Sequence, residues 1–177
     1  ELTALILGAF FHDIGMSPSE RDVIAWTKLW DENPSFDGNE EVAENSKFKR
    51  YCSARPDDLK HIETLLDRGE NSLASLMKGY LIADYIRSTH ALRAREIIRQ
   101  DWNGKIVFRD NDMTVEFAEI CFSHNGDATE VLEMDKNYLC GPGIYACLPL
   151  VAVLLRLADI LDFGKVKHDE GLGAPTL

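Results

Sequence analysis

The sequence predicts an all-α fold, arranged as a helical bundle with irregular insertions. Three segments carry this prediction: residues 2–11 are almost wholly apolar, and residues 72–99 and 148–163 place their apolar side chains at helical spacing. The chain has 177 residues, of which 45% are apolar, so it is long enough to bury one substantial core but short for two. We therefore expect a single helical domain over residues 1–177.

Charge and cysteine content narrow the functional class. The formal net charge is −11, which argues against a broad surface for nucleic acid or anionic membranes, because both need clustered lysine and arginine. No apolar run reaches the roughly 18 residues typical of a membrane-spanning helix. The four cysteines show no Cys-x-x-Cys spacing, so we expect reduced thiols in a cytoplasmic protein.

The first predicted helix ends in a charged pair, His12 and Asp13. The apolar side chains before this pair leave no polar face, which predicts a buried helix, and Gly15 is the expected stop just past its end. A carboxylate is almost never fully buried unless it is paired or bound to a metal, since removing it from water costs on the order of several kcal/mol. The pair is therefore either a satisfied structural pair or the beginning of a metal site.

Two shorter helices are predicted in the first half of the chain. The sequence Ser-Pro-Ser-Glu at residues 17–20 is typical of a helix start, with Ser17 as the cap, and this helix should run to about Trp30. Another helix should begin at Pro56 and continue through Asp67, with apolar residues on one side.

Four polar segments separate or follow the helices. Residues 31–56 are rich in Asn, Asp, Glu, Lys and Ser, which is typical of a solvated insertion. Residues 101–114 favour a short strand or an extended loop, and residues 133–142 favour a polar loop. Residues 165–177 are expected to form a flexible tail.

Two further histidines lie on apolar helix faces. His90 follows Ile86 by four positions, and His124 continues the spacing set by Phe117, Ile120 and Cys121. Both positions face inward. Taken singly, each histidine is explained by a core imidazole that bonds to a backbone carbonyl.

The final predicted helix carries a narrow polar stripe. Its polar residues Arg156, Asp159 and Asp162 are spaced by three on a helix that is otherwise apolar. A salt bridge between Arg156 and one aspartate would satisfy two of these groups. The other aspartate would still need a cation.

Four helices thus bring an imidazole or a carboxylate to an inward position: His12 with Asp13, His90, His124 and Asp159. Several unpaired polar groups in one small core would be costly, whereas one or two shared divalent metals would satisfy all of them. Mixed nitrogen and oxygen donors favour Mn, Fe, Co, Ni or Zn over Ca and Mg. Two metals bridged by a carboxylate can create a hydroxide near neutral pH and hold both oxygens of an in-line displacement at phosphorus. Phosphate ester hydrolysis is the natural chemistry of such a site.

The order of these residues, His-Asp, His, His and Asp, all on helices, resembles the HD-domain superfamily of metal-dependent phosphohydrolases. The matching segments span the chain from residue 10 to residue 163: Phe11–Gly15, Ile86–Arg93, Ile120–His124 and Leu155–Asp162. The second and fourth segments are most similar to the HD domains fused to Hsp90-like ATPase modules. The resemblance implies an HD-type helical bundle.

The resemblance also implies site residues and cofactors. His12, Asp13 and Asp159 would bind a first divalent metal, and Asp13 would bridge to a second metal bound by His90 and His124. Asp13 would thereby be catalytic. From their positions in the sequence alone, we also expect catalytic roles for Arg87 and Arg93, which would steady a phosphate or hold the neighbouring ligands. The expected cofactor is one or two ions of Mn, Fe, Co, Ni, Zn or Mg.

The superfamily carries a further histidine on a helix before the His-Asp pair. The chain begins at Glu1 without a methionine or a convincing helix cap, so we expect a fragment that lacks its N-terminal helix.

The expected function is a metal-dependent phosphohydrolase that uses a metal-activated hydroxide on a phosphomonoester or phosphodiester, such as a nucleotide. A second hypothesis is a non-catalytic HD module that binds metal or nucleotide and regulates an attached ATPase or signalling domain. A third is a helical interaction domain without metal, in which Asp13 and Asp159 pair with cations such as Arg156.

Overall fold

The computed structural model describes the backbone of residues 1–169 and the side chains of residues 1–161. It confirms the all-α fold. The helices are, in chain order, α1 (Leu2–Phe11), α2 (Glu20–Thr27), α3 (Asn39–Ser53), α4 (Pro56–Asp67), α5 (Asn71–Asp101), α6 (Thr114–Ser123), α7 (Ala128–Glu133) and α8 (Leu148–Asp169).

Two short antiparallel hairpins interrupt the helices. They are formed by β1 (Val107–Phe108) with β2 (Asn111–Asp112), and by β3 (Tyr138–Gly141) with β4 (Ile144–Ala146). The first hairpin confirms the short strand expected within residues 101–114. The second replaces the polar loop expected at residues 133–142. Cys140 and Ala146 are buried there, so this hairpin is held by its apolar side.

The chain forms two compact units, which are described separately. The first comprises Glu1–Gly15 and the residues from His90 onward, and the second comprises Met16–Thr89. Helix α5 contributes its C-terminal part to the first unit and its N-terminal part to the second. The first unit contains all of the predicted metal ligands: His12, Asp13, His90, His124 and Asp159.

The core of the first unit is built on α1, α6 and α8, which contact one another. Ile120 of α6 lies in one buried cluster with Val151 and Leu155 of α8. Gly8 lets α1 approach α8 closely, because a Cβ atom on this residue would lie 3.3 Å from the Leu155 side chain. The core therefore fixes the three helices that carry His12, His124 and Asp159.

Helix α1 is less buried than its composition predicts. Leu2, Ile6 and Phe10 are 70%, 50% and 78% exposed, and their spacing of four places them on one face. Helix α1 packs against α6 and α8 from the opposite side, so the prediction of a fully buried helix is wrong. A uniformly apolar segment carries no signal that tells which of its faces is covered.

In the second unit, helix α2 begins two residues later than predicted. Its cap is Ser19, whose hydroxyl accepts from the backbone N–H of Asp22 while the Asp22 carboxylate accepts from the N–H of Ser19. Ser17 is therefore not the cap. After α2 the chain continues as a 3-10 turn at Lys28–Trp30.

The segment at residues 31–56 contains the fifteen-residue helix α3. Phe48 and Cys52 of α3 are buried, together with Trp26 and Tyr85, in the aromatic core of the second unit. The sequence did not indicate this helix, because apart from its few buried residues most of its side chains are polar and face solvent. Helix α4 has the bounds that the sequence predicted.

Helix α8 runs to Asp169, so the first residues of the predicted tail at 165–177 are helical. Residues 170–177 and the side chain of Asp162 lie outside the described part of the chain. Among the described helices, none combines the length and apolar composition needed to cross a membrane.

Candidate metal centre

The His12-Asp13 pair lies in a tight turn that is pressed against α5. His12 ends α1, and its backbone N–H donates to the Gly8 carbonyl at 2.9 Å. Gly15 follows in a 3-10 turn, where an added Cβ atom would lie 2.0 Å from the His90 carbonyl oxygen and 2.8 Å from the Ala94 nitrogen. Gly15 therefore permits the close approach of this turn to the backbone of His90. Gly15 lies just past the end of α1, as expected, but its φ is not positive, so it does not adopt the left-handed conformation of a C-cap glycine.

The structure brings together all of the predicted ligands. Their ligand atoms form two groups, and the atoms of each group lie within 4.8 Å of one another. One group is Asp13 with His90 and His124, and the other is Asp13 with His12 and Asp159. Asp13 belongs to both groups. This shared carboxylate is the arrangement that the resemblance implies for a bridging ligand.

The distances within each group fit ligands of a common ion. His90 Nε2 lies 2.8 Å from His124 Nε2 and 3.4 Å from Asp13 Oδ1. In the other group, His12 Nε2 lies 3.4 Å from Asp13 Oδ2 and 3.6 Å from Asp159 Oδ1. Ligand atoms on one ion with bonds of about 2.1 Å are roughly 3.0 to 3.4 Å apart, depending on geometry. The two distances of 3.4 Å lie in this range, those of 2.8 and 3.6 Å lie just outside it, and His124 Nε2 is 3.8 Å from Asp13 Oδ1.

The same distances argue against simple ion pairing. Nitrogen-to-oxygen hydrogen bonds are about 2.7 to 3.2 Å long, and each imidazole-to-carboxylate distance in the two groups exceeds this range. The imidazole and carboxylate atoms converge on common points at distances longer than a hydrogen bond, whereas His90 Nε2 and His124 Nε2 lie within hydrogen-bond distance of each other at 2.8 Å. A cation at those points would satisfy the carboxylates and the imidazole lone pairs together.

Backbone contacts orient two of the imidazoles. His12 Nδ1 lies 3.1 Å from the carbonyl oxygens of both Gly8 and Ala9, and His124 Nδ1 contacts the carbonyl oxygen of Cys121. A carbonyl only accepts, so each neutral imidazole carries its proton on Nδ1. The Nε2 lone pair of each ring then faces the carboxylate. A second bond of this kind is typical of metal-binding histidines.

Burial keeps the inner imidazole neutral and leaves the carboxylate accessible. The His124 side chain is 2% exposed, and this burial lowers its pKa below the usual value. The nearby imidazoles of His90 and His12 lower the pKa further. The Cys121 carbonyl and the Asp13 carboxylate act in the opposite direction and raise it. The Asp13 side chain is 48% exposed. The centre therefore has a protected imidazole side and an open side through which a solute can reach Asp13.

The arginines occupy different positions around the first unit. Arg93 Nε donates to the Gly15 carbonyl at 3.3 Å and so holds the turn that follows Asp13. Arg156 Nη1 donates to the Ser123 carbonyl at 3.1 Å, next to His124, and makes no ion pair with Asp13 or Asp159 among the described side chains. The expected salt bridge between Arg156 and an aspartate of α8 is therefore absent for Asp159.

Arg87 belongs to the second unit, and its side chain is exposed. Its predicted catalytic role stays a prediction.

Sequence reasoning missed the contributions of Gly15 and Arg156 to this centre. The motif Phe-His-Asp-Ile-Gly contains a signal for the first, because a glycine two residues after a site carboxylate is compatible with close backbone packing. The hydrogen bond from Arg156 to the Ser123 carbonyl could not be predicted, because the sequence does not show which backbone oxygen lies near the guanidinium group.

The arrangement is a helical domain with two His/Asp donor groups that share one carboxylate. A family model described as HD-CE matches residues 1–166, and the chain belongs to the HD-CE family. Searches of curated proteins and of solved structures gave no match. The family assignment and the donor geometry together define an HD-type domain with candidate metal ligands.

Proposed function

We propose that the chain is a metal-dependent phosphohydrolase that cleaves a phosphomonoester or phosphodiester, such as a nucleotide, in the cytoplasm. The observation that carries this proposal is the carboxylate of Asp13 shared between two donor groups. Divalent ions bound there would lower the pKa of a coordinated water and neutralise the charge on a phosphate. Membership of an HD-type family is compatible with this chemistry.

The residues of the chain have distinct tasks in this proposal. Asp13 would bridge two ions, with His12 and Asp159 on one side and His90 and His124 on the other. The backbone contacts of His12 and His124 fix both rings with a lone pair available, so little reorganisation is needed when an ion binds. The exposed side of Asp13 would admit the phosphate.

Two arginines have proposed supporting roles. Arg93 acts as a positioning residue, because its bond to the Gly15 carbonyl holds the turn that carries Asp13. The role proposed for Arg87, which is to steady a phosphate or to hold a neighbouring ligand, rests on its position in the sequence alone.

The test measures metal binding and hydrolysis on the same samples. The protein is stripped with a chelator, reloaded separately with Mn, Co, Ni, Zn or Mg, and assayed on p-nitrophenyl phosphate, bis-p-nitrophenyl phosphate and a nucleotide panel. Turnover that requires metal and is lost in Asp13→Asn supports the proposal. The control is Asp67→Asn, an exposed aspartate of the second unit. Metal binding without turnover of any substrate in the panel would contradict it.

A second candidate is a regulatory module that binds metal or nucleotide and acts on an attached ATPase or signalling domain. It is favoured by the exposed apolar side chains of α8, where Leu157, Ile160 and Leu161 are 50%, 65% and 73% exposed. An attached domain would cover such a surface. This candidate predicts metal-dependent nucleotide binding with no loss of the nucleotide over time.

A further inference from the structure

A cavity of about 210 Å³ lies in the first unit, on the side of α1 that bears Thr3, Leu7 and Phe11. Its walls also come from the segment that follows α5, from both hairpins, and from α6 and α8. Among the described residues that line it, none is a candidate metal ligand. The cavity is therefore separate from the metal centre, and the inference drawn from it does not depend on the proposed function.

The interior of the cavity is apolar. Its deepest lining residues are almost completely buried, with exposed fractions of 8% or less: Met113, Phe117, Ile120, Leu148 and Val151. A water molecule needs two to four polar partners to occupy a cavity stably, and these side chains offer none beyond a weakly accepting sulfur. Water is a poor occupant of this interior, so an apolar solute would gain from displacing it.

The rim of the cavity carries one acidic and one basic side chain, and both have other partners. Glu1 Oε1 accepts from the Cys147 N–H at 3.1 Å, and Lys105 Nζ donates to the Asp101 carbonyl at 2.6 Å. Because each of these charged side chains already has a partner in the protein, neither is free to select an ion. These features favour a neutral ligand over an organic acid or amine.

The volume limits the size of the ligand. An engineered apolar cavity of roughly 150 Å³ is known to take benzene, so about 210 Å³ suits a ring system of one or two rings. An α-helix, about 10 Å in diameter, is too wide to enter. We infer that this cavity is a binding site for a small uncharged molecule of mainly apolar character, with one or two rings.

Aromatic side chains on the wall add specificity for rings. Phe11 contacts Trp102 and Phe117 edge-to-face, with ring centroids 4.8 and 5.8 Å apart, and all three line the cavity. A planar ligand can extend this edge-to-face arrangement, which favours aromatic over aliphatic rings. Cyclohexanol should therefore bind more weakly than phenol.

The experiment follows isoleucine methyl groups by NMR while indole, phenol, cyclohexanol and benzoate are titrated into the full chain. Ile106, Ile120 and Ile144 line the cavity, whereas Ile24 and Ile62 of the second unit serve as internal controls. We expect saturable shifts of the three lining methyl groups with indole and phenol, and at least tenfold weaker binding of benzoate. Indole should also raise the midpoint of thermal unfolding.

Two variants fill the cavity by different routes. Ala146→Leu adds volume from the buried wall, and Thr3→Phe adds a ring at the exposed rim, where folding is not at risk. Both should abolish the indole shifts, whereas Ala43→Leu, at an exposed position of α3, should leave them unchanged. Absence of saturable shifts in the lining methyl groups, shifts that survive both variants, or benzoate binding as tight as phenol would each overturn the inference.

Discussion

Gly15→Ala tests how the metal centre is assembled. The added Cβ atom would lie 2.0 Å from the His90 carbonyl oxygen and 2.8 Å from the Ala94 nitrogen. Both are backbone atoms of α5, so no side chain can rotate away to make room. Restoring an ordinary contact of at least 3 Å to the carbonyl requires the turn and α5 to separate by about 1 Å.

This displacement is large on the scale of the centre. The Asp13 carboxylate lies 3.4 Å from His12 Nε2 through one oxygen and 3.4 Å from His90 Nε2 through the other, so a shift of about 1 Å moves Asp13 out of range of one ion or the other. We expect divalent metal affinity to fall at least tenfold, by comparison with the loss of supporting contacts at other metal sites. Overpacking should also lower the free energy of unfolding by about 1 to 3 kcal/mol.

The assay combines competition with a fluorescent chelator and urea unfolding. The control is Gly79→Ala on α5, where nothing lies within 4 Å of the added atom. That variant should keep its metal affinity and gain about 0.5 to 1 kcal/mol of stability, since alanine favours helix over glycine. If Gly15→Ala binds metal as tightly as the wild type, the close approach does not position Asp13.

Three further predictions address contacts outside the donor groups. Arg156→Gln should reduce metal affinity by about tenfold and the free energy of unfolding by about 1 kcal/mol, because it removes the bond to the Ser123 carbonyl beside His124. The control in the same chelator assay is Arg99→Gln, which breaks a more exposed pair with Glu119. Glu41→Gln should lower the urea midpoint at pH 7 more than Glu40→Gln, because Glu41 is 3% exposed and pairs with Lys28 at 2.7 Å, whereas the Glu40 side chain is 83% exposed. The hydrogen bond from Lys28 lowers the pKa of Glu41, so its contribution should disappear as the pH falls below 4.5, and a difference that persists in acid would refute the pairing. Burial and the bond to Asp84 raise the pKa of Tyr51 to about 12. The tyrosine therefore ionises at a lower pH in the unfolded chain, and the free energy of unfolding should fall as the pH rises from 10 to 12. In Tyr51→Phe, the free energy of unfolding should depend less steeply on pH over the same range.

The parts of the fold that follow from helical periodicity were predictable. Helix α4 begins at Pro56 and ends at Asp67 as expected, because proline favours the first turn of a helix and the apolar residues repeat along one side. His90 and His124 come together because each continues an apolar stripe, and such stripes turn toward the core.

Other parts depend on contacts that no local pattern records. The exposed face of α1 and the buried side of α3 both contradict composition, because composition does not reveal which neighbours a helix meets. The second hairpin is held by Cys140 and Ala146 against distant residues of the core. Gly15 was noticed in the sequence, but its contact with the His90 backbone is a tertiary feature.

Measuring the metal content per chain tests most directly whether Asp13 joins two metal sites. Protein purified without chelator is analysed for elements as the wild type and as the variants His90→Ala and Asp159→Ala, which remove one ligand from each donor group. We expect about two metal ions per chain in the wild type and about one in each variant. Two results would show that Asp13 does not join two metal sites. One is folded wild-type protein that holds no metal after incubation with Mn, Fe, Co, Ni and Zn, and the other is a pair of variants that keep the full wild-type metal content.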